Sequence, residues 1–188
     1  RSAGKCKHLV IAATGTGKTM IAAFDYKHYC GTEGRRPRLL FVAHREEILK
    51  QARSAFRQVL RDGSFGELVA GGAQTDKKDY LFCTVQSWNS RNFDQLTVGH
   101  FDYVVLDEAH HASASSYQAL IDHIAPQSLL GLTATPERTD GADIRNDFGG
   151  AFTHEIRLPE AIERALLSPF HYYGVPDLEG LDFSSIAW

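Results

Sequence analysis

The octet AATGTGKT, residues 12 to 19, follows the apolar run HLVIA and precedes an apolar-striped segment. Glycine reaches backbone angles closed to other residues, so Gly15 and Gly17 let consecutive N–H groups turn inward and ring a phosphate. A helix starting near Lys18 adds the positive end of its dipole at the same point. Lys18 then supplies a charge for β- and γ-phosphates, and the Thr19 hydroxyl can ligate a magnesium ion bridging them. The spacing is A/G-x4-G-K-S/T, with Ala12 where the commonest form has glycine. Thr14, Gly15, Thr16, Gly17, Lys18 and Thr19 thus read as a loop that holds a nucleoside triphosphate. The bland alternative is a glycine turn carrying a surface lysine.

A second stretch, FDYVVLDEAHH, places Asp107 and Glu108 where the apolar run Tyr103 to Leu106 ends. Unpaired buried charge is costly, so two adjacent carboxylates there make most sense beside a cation. Asp107 would hold Mg²⁺ through its water shell, and Glu108 would orient and polarise the water that attacks a γ-phosphate. Alone, four apolar residues followed by Asp-Glu describe a charged strand end equally well. Coupled to the phosphate loop the pattern becomes specific. His110 and His111 follow without partner ligands at metal-binding spacing, so His111 reads as structural.

These residues must be carried by a scaffold. Apolar runs of strand length recur at HLVIA, RLLFVA, YLFCTV, YVVLD and LLGLTA, with a weaker one at GELVA. Helix-like segments lie between several of them. After Lys18, Met20, Ala23 and Phe24 share a face. From Arg45 to Leu60 the residues Ile48, Leu49, Ala52, Ala55, Phe56 and Val59 form a stripe, and SYQALIDHIA is a third candidate, ended by Pro126. Strands alternating with helices imply right-handed βαβ units, hence an α/β fold with a doubly wound, mainly parallel sheet covered by helices on both faces. In such sheets ligands bind at the edge where the strands end, and both chemical stretches sit at strand ends. Beyond Pro136 the pattern weakens before a short helix candidate, PEAIERALL, and a possible strand, FHYYGV. The arginines of GTEGRRPR read as a solvated loop.

The chain has 188 residues, 43% of them apolar, which suffices for one core of common size and not for two full domains. Its formal charge of −3 gives no bulk attraction for polyanions, so any such site must be local. Cys6, Cys30 and Cys83 form neither a CxxC pair nor a Cys/His cluster, which points to a reducing, intracellular (cytoplasmic) setting. No stretch approaches the roughly 20 apolar residues of a membrane span. Position 1 is Arg and a strand follows almost at once, so the chain reads as a piece of a longer protein.

With AATGTGKT and DEAHH together, the chain resembles the first RecA-like motor domain of superfamily 2 DEAD/DEAH-type helicases and translocases. AHREEILKQ (43 to 51) is similar to the family's motif Ia, DEAH is motif II, and TAT (133 to 135) matches motif III. Gly71 and Gly72, then TVQS (84 to 87), look like its later nucleic-acid-contacting elements. The resemblance implies ATP and Mg²⁺ as ligands, Lys18, Asp107 and Glu108 as catalytic groups, and Thr19 and Asp107 at the metal. It implies that His110, Thr133 and Thr135 couple the ATP site to a nucleic-acid track, and that Arg45, Gly72, Thr84 and Ser87 contact the polymer, largely through sugar and phosphate. Bland alternatives stand beside these roles: His44 and Arg45 could begin a helix beside two glutamates, and Thr84, Gln86 and Ser87 could be a strand end and turn.

AHREEIL and TATPERTDG look more like the branch with restriction-enzyme translocase subunits and DNA-repair helicases than like the RNA-specific branch, so DNA is the expected track. The expected division is 1–160 as the motor domain, lacking the upstream adenine-reading element, and 161–188 as a connector towards a second RecA-like domain that carries the arginine fingers. Without that partner the piece should hydrolyse ATP poorly. Two further readings remain: the motor subunit of a restriction complex, and a nucleotide-gated nucleic-acid clamp without motor action.

Overall fold

The computed structural model describes residues 6–71, 75–90, 93, 96–111, 115–135, 144, 148 and 154–169. Seven strands, β1 (Cys6–Ala12), β2 (Leu39–Ala43), β3 (Glu67–Val69), β4 (Tyr80–Thr84), β5 (Tyr103–Asp107), β6 (Ser128–Thr133) and β7 (His154–Ile156), form one sheet in the order β3-β4-β2-β5-β6-β1-β7. Every pairing is parallel. Among the described residues the helices are α1 (Lys18–Glu33), α2 (Glu46–Leu60), α3 (Val85–Ser90), α4 (Ser115–Ile124) and α5 (Leu158–Glu163), with a 3-10 turn at Ala109–His111. All six expected strands are present at or within two residues of their predicted ends. This is the doubly wound α/β fold, and the possible strand FHYYGV lies outside the described residues.

The central strands are apolar at nearly every position because both sheet faces are covered. Alternate residues point to opposite sides. Val10, Phe41, Ala43, Phe82, Tyr103, Val105 and Leu132 pack under α1 and α2. Leu9, Ile11, Val42, Cys83, Val104 and Leu106 pack under α3 and α4.

Two helices differ from the sequence-based expectation. In α1 the buried residues are Ala22, Ala23, Tyr26 and Tyr29, while Phe24 is 56% exposed and so does not share a core face with Ala23. At about 100° per residue the two tyrosines set the inward direction, and Phe24 falls on the far side. Tyr26 lies among Phe56, Phe65 and Tyr103, and its hydroxyl donates to the Pro37 carbonyl at 2.5 Å. The second difference is α3, a helix that follows β4 directly and that the sequence reading did not foresee, its bland alternative there being a strand end and turn.

Replacing Tyr26 by Phe removes this buried hydrogen bond and leaves the Pro37 carbonyl unpaired. Urea unfolding is expected to show a stability loss of about 1–2 kcal/mol. An unchanged midpoint would mean that the hydroxyl contributes nothing to the core.

The arginines of residues 31 to 38 are engaged locally rather than free for a ligand. Arg35 grips Asp102 through two bonds of 3.0 and 2.8 Å, Arg36 pairs with Asp62 and Arg38 with Asp79. The opposite end of the sheet is therefore tied by ion pairs, and the C-terminal edge carries the chemistry.

Candidate active site

One register row crosses six strands, Val69–Cys83–Val42–Leu106–Gly131–Leu9. One residue further along lie Thr84 and Asp107. Two further lie His44, Glu108 and Thr133. The register alone thus aligns side chains from β4, β2, β5 and β6 along one edge, with the phosphate loop leaving β1 beside them.

The phosphate loop turns on its two glycines, Gly15 at φ 89° and Gly17 at φ 85°, the left-handed region that side chains disfavour. The Ala13 carbonyl closes the turn, accepting the Thr16 N–H at 3.3 Å and the Thr16 hydroxyl at 2.7 Å. Thr16 therefore spends its side chain on loop shape, while Thr14 and Gly15 face solvent. Lys18 opens the 16-residue helix α1 and donates its ammonium to the Ala12 carbonyl at 2.9 Å. Burial lowers the pKa of Lys18, and the carboxylates of Asp107 and Glu108 partly restore it. Those opposing effects place the lysine of the loop in the field of both strand-end carboxylates.

Asp107 is buried at the end of β5, with one carboxylate oxygen accepting the Glu108 N–H at 3.0 Å. Burial raises its pKa, while that hydrogen bond and the Lys18 ammonium lower it. A carboxylate held this way gains from a nearby cation. Among the described residues no group of three or more His, Cys, Asp or Glu could hold a metal by itself. Magnesium takes one or two protein ligands and completes its shell with water and phosphate oxygens. The donor set on offer is Thr19 and Asp107. Glu108 turns out of the strand with φ 53°, an uncommon conformation for a non-glycine residue. The strained backbone swings its side chain along the edge, where it pairs with His44 at the end of β2.

His110 and the TAT segment are linked directly. The Thr133 hydroxyl donates to the Thr135 carbonyl at 2.8 Å, so its oxygen accepts the Nδ1–H of His110 at 3.2 Å. The expected coupling residues thus form one chain of bonds between β5 and β6.

The expected polymer contacts occupy the other half of the edge, at the ends of β2, β3 and β4. Arg45 is exposed at the start of α2. Gly72 lies outside the described residues, and its neighbour Gly71 sits in the left-handed region against Glu46. Thr84 and Ser87 are nearly buried: the Thr84 hydroxyl donates to Ser87 Oγ at 2.9 Å, and the Ser87 N–H donates back to Thr84 Oγ1 at 3.1 Å. These two hydroxyls hold the start of α3 rather than project from it.

Three site neighbours were not singled out by the sequence. Leu167, just beyond α5, packs with Ala13 and lies close over Gly15. Tyr117 of α4 has a buried hydroxyl without a hydrogen-bond partner among the described residues, and burial, with Glu108 and Asp107 adding, pushes its pKa up to about 12. His44 lies against Glu108, whereas the sequence reading gave it only the bland alternative of a helix start beside Arg45. Only the AHREE pattern carried a signal for any of the three.

A phosphate loop and an Asp-Glu strand end meeting at the C-terminal edge of an all-parallel sheet define a RecA-like P-loop NTPase. A family model described as "Type III restriction enzyme, res subunit" matches residues 1–138, and the chain belongs to this family. It is 29% identical over 189 residues to the type I restriction enzyme EcoAI endonuclease subunit of Escherichia coli, covering 95% of this chain and 23% of that protein. It is 27% identical over 133 residues to the DNA 3'-5' translocase XPB2 of Sulfurisphaera tokodaii, covering 71% of this chain and 28% of that protein. The Hef helicase domain of Pyrococcus furiosus superposes with a TM-score of 0.64 at 20% identity, over 80% of this chain and 35% of that one. The chain spans about a quarter of the length of these curated relatives. Among the described residues no helix is long and apolar enough to cross a membrane.

Proposed function

We propose that this chain is the first of two motor domains of a DNA helicase or translocase, with residues 1–160 as the motor unit and 161–188 leading to the second. The observation that carries the reading is that the phosphate loop leaving β1, with Lys18, and the Asp107–Glu108 end of β5 lie at one edge of the parallel sheet. Thr14 to Thr19 wrap the phosphates of ATP through backbone N–H groups. Lys18 leaves the carbonyls it now holds and takes the β- and γ-phosphates. Thr19 and Asp107 would hold magnesium, which supplies charge neutralisation for the departing phosphate. Glu108 orients the attacking water and accepts its proton. The His110–Thr133–Thr135 chain passes the resulting displacement to the polymer side of the edge, where Arg45, Gly72 and the start of α3 at Thr84–Ser87 meet sugar and phosphate. DNA is favoured by the form of AHREEIL and TATPERTDG and by the similarity to a DNA 3'-5' translocase.

The test is steady-state ATP hydrolysis by the full-length protein alone and with single-stranded DNA, duplex DNA or RNA. Stimulation by DNA is expected. Stimulation by RNA alone would overturn the polymer assignment, and hydrolysis indifferent to all three would favour a gated clamp. A second reading, the motor subunit of a restriction complex, is favoured by the family match and by the alignment of 95% of this chain to the restriction subunit. In that case cleavage comes from a nuclease region elsewhere in the full-length protein or complex, and DNA-dependent hydrolysis is retained.

A further inference from the structure

Strand β7 adds to the outer edge of β1, and the ladder runs on past both strands, the Ala13 N–H donating to the Ile156 carbonyl at 3.0 Å. The phosphate loop is thereby pinned to β7 at its start. The Ala13 carbonyl is engaged as well, accepting the Thr16 N–H, the Thr16 hydroxyl and, at 3.4 Å, the Lys18 ammonium. What remains of Ala13 is its methyl, which packs with Ile156, Ala161 and Leu167.

Leu167 reaches the loop through a defined reversal of the chain. Helix α5 closes with the Ala165 N–H donating to the Ile162 carbonyl at 2.9 Å, and the Leu166 and Leu167 N–H groups both donating to the Ala161 carbonyl at 2.9 and 3.1 Å. Ala165 takes φ 54°, the left-handed position that such a helix end usually gives to glycine. The reversal leaves Leu166 52% exposed and brings Leu167 over Gly15, where a methyl added to the glycine would lie 3.1 Å from Leu167 Cδ2. Gly15 is needed twice over, for its φ of 89° and for the space that Leu167 occupies.

The side on which this contact falls sets its consequence. In the strand order β5-β6-β1-β7, Asp107 at the end of β5 lies on one side of the loop, while β7 and the Leu167 packed on Ile156 lie on the other. Leu167 therefore backs the loop from behind and leaves the face towards Asp107 open to a phosphate. A loop held in shape before its ligand arrives binds more tightly than one that must be ordered on binding. The coupling is reciprocal, so a phosphate that fixes the loop also fixes what packs behind it.

We infer that Leu167 is a positioning residue that backs the phosphate loop at Ala13 and Gly15, and that nucleotide binding in turn steadies residues 164–169. The turn after α5 is then a sensor of occupancy, firm when the loop is filled and looser when it empties. The inference rests on the reading of Thr14 to Thr19 as a triphosphate site. It adds how occupancy of that site reaches the part of the chain proposed to lead to a second motor domain.

In the full-length protein, Leu167→Ala is expected to weaken binding of a fluorescent ATP analogue about three- to tenfold, the weight of ordering a short loop segment on binding. KM for ATP rises by the same factor and kcat at saturating ATP is unchanged, because no transition-state contact is lost. Leu167→Met keeps the apolar volume and restores affinity. Hydrogen exchange reads the reverse direction: magnesium with a non-hydrolysable ATP analogue slows exchange of the Leu166 and Leu167 amides in the unsubstituted protein by about the same factor, and leaves it unchanged in Leu167→Ala. Unchanged affinity in Leu167→Ala overturns the inference, as does exchange at the two amides that ignores nucleotide, or a Leu167→Met affinity as low as that of Leu167→Ala. The two failures are distinct. No binding of the analogue by the unsubstituted protein sinks the triphosphate site itself, whereas binding that Leu167→Ala does not alter sinks the backing role alone.

Discussion

Glu108→Gln in the full-length protein is expected to bind ATP and magnesium normally and to lose hydrolysis by about 10²–10⁴-fold, the range of a positioned general base. Three observations support the split between binding and turnover. Glu108 is not in the phosphate loop, so the backbone N–H groups and Lys18 that hold the phosphates are untouched. Glutamine keeps the shape and the left-handed backbone turn at this position, where φ is 53°. Asp107, the candidate metal ligand, receives its hydrogen bond from the backbone N–H of residue 108, which any side chain leaves in place. Binding of a fluorescent ATP analogue checks the first half, and single-turnover hydrolysis checks the second. Full turnover with normal binding would remove Glu108 from the chemistry and return the strand end to a charged turn.

Lys18→Ala is expected to produce the complementary result, a loss in nucleotide affinity together with a fall in kcat of about 10²–10³-fold, as for removal of one preorganised charge from a transition state. The lysine is half-buried and already paired with the carbonyls at the end of β1 at 2.9 and 3.4 Å, so its ammonium is poised at the mouth of the loop. Its removal also frees Asp107 and Glu108 of their compensating charge, and the pKa of Asp107 is expected to rise further as that attraction disappears. Equilibrium binding and DNA-stimulated hydrolysis measure the two losses. Retained affinity would mean that the backbone cradle alone carries the phosphates.

The two variants together distinguish a motor from a switch. A clamp that only senses nucleotide needs Lys18 and has no chemical use for Glu108. A motor needs both.

Much of this arrangement is legible in the order of residues. The six runs from HLVIA to LLGLTA are apolar at consecutive positions because both faces of a central parallel strand are buried, and that signature survives without any knowledge of neighbours. The phosphate loop is equally local: two glycines, a lysine and a threonine at fixed spacing act through their own backbone. What escaped was short or relational. The strand His154–Ile156 has three residues and exists because the outer edge of β1 is open to it. Helix α3 spans six residues and depends on the Thr84–Ser87 cap and on Trp88 stacking over Phe93 at 5.0 Å. Phe24 misled because an apolar residue at helical spacing does not reveal which side of the helix the tyrosines will claim.

The sequence by itself determined the class of the protein, since strand periodicity and the phosphate-loop and Asp-Glu patterns are properties of contiguous residues. Only the tertiary structure decided which of those residues meet. Lys18 and Asp107 are 89 positions apart and share an electric field only because β1, β6 and β5 are neighbours. His44 and Glu108 meet only because β2 pairs with β5 in one register, and a slip of one residue would put the two side chains on opposite faces of the sheet.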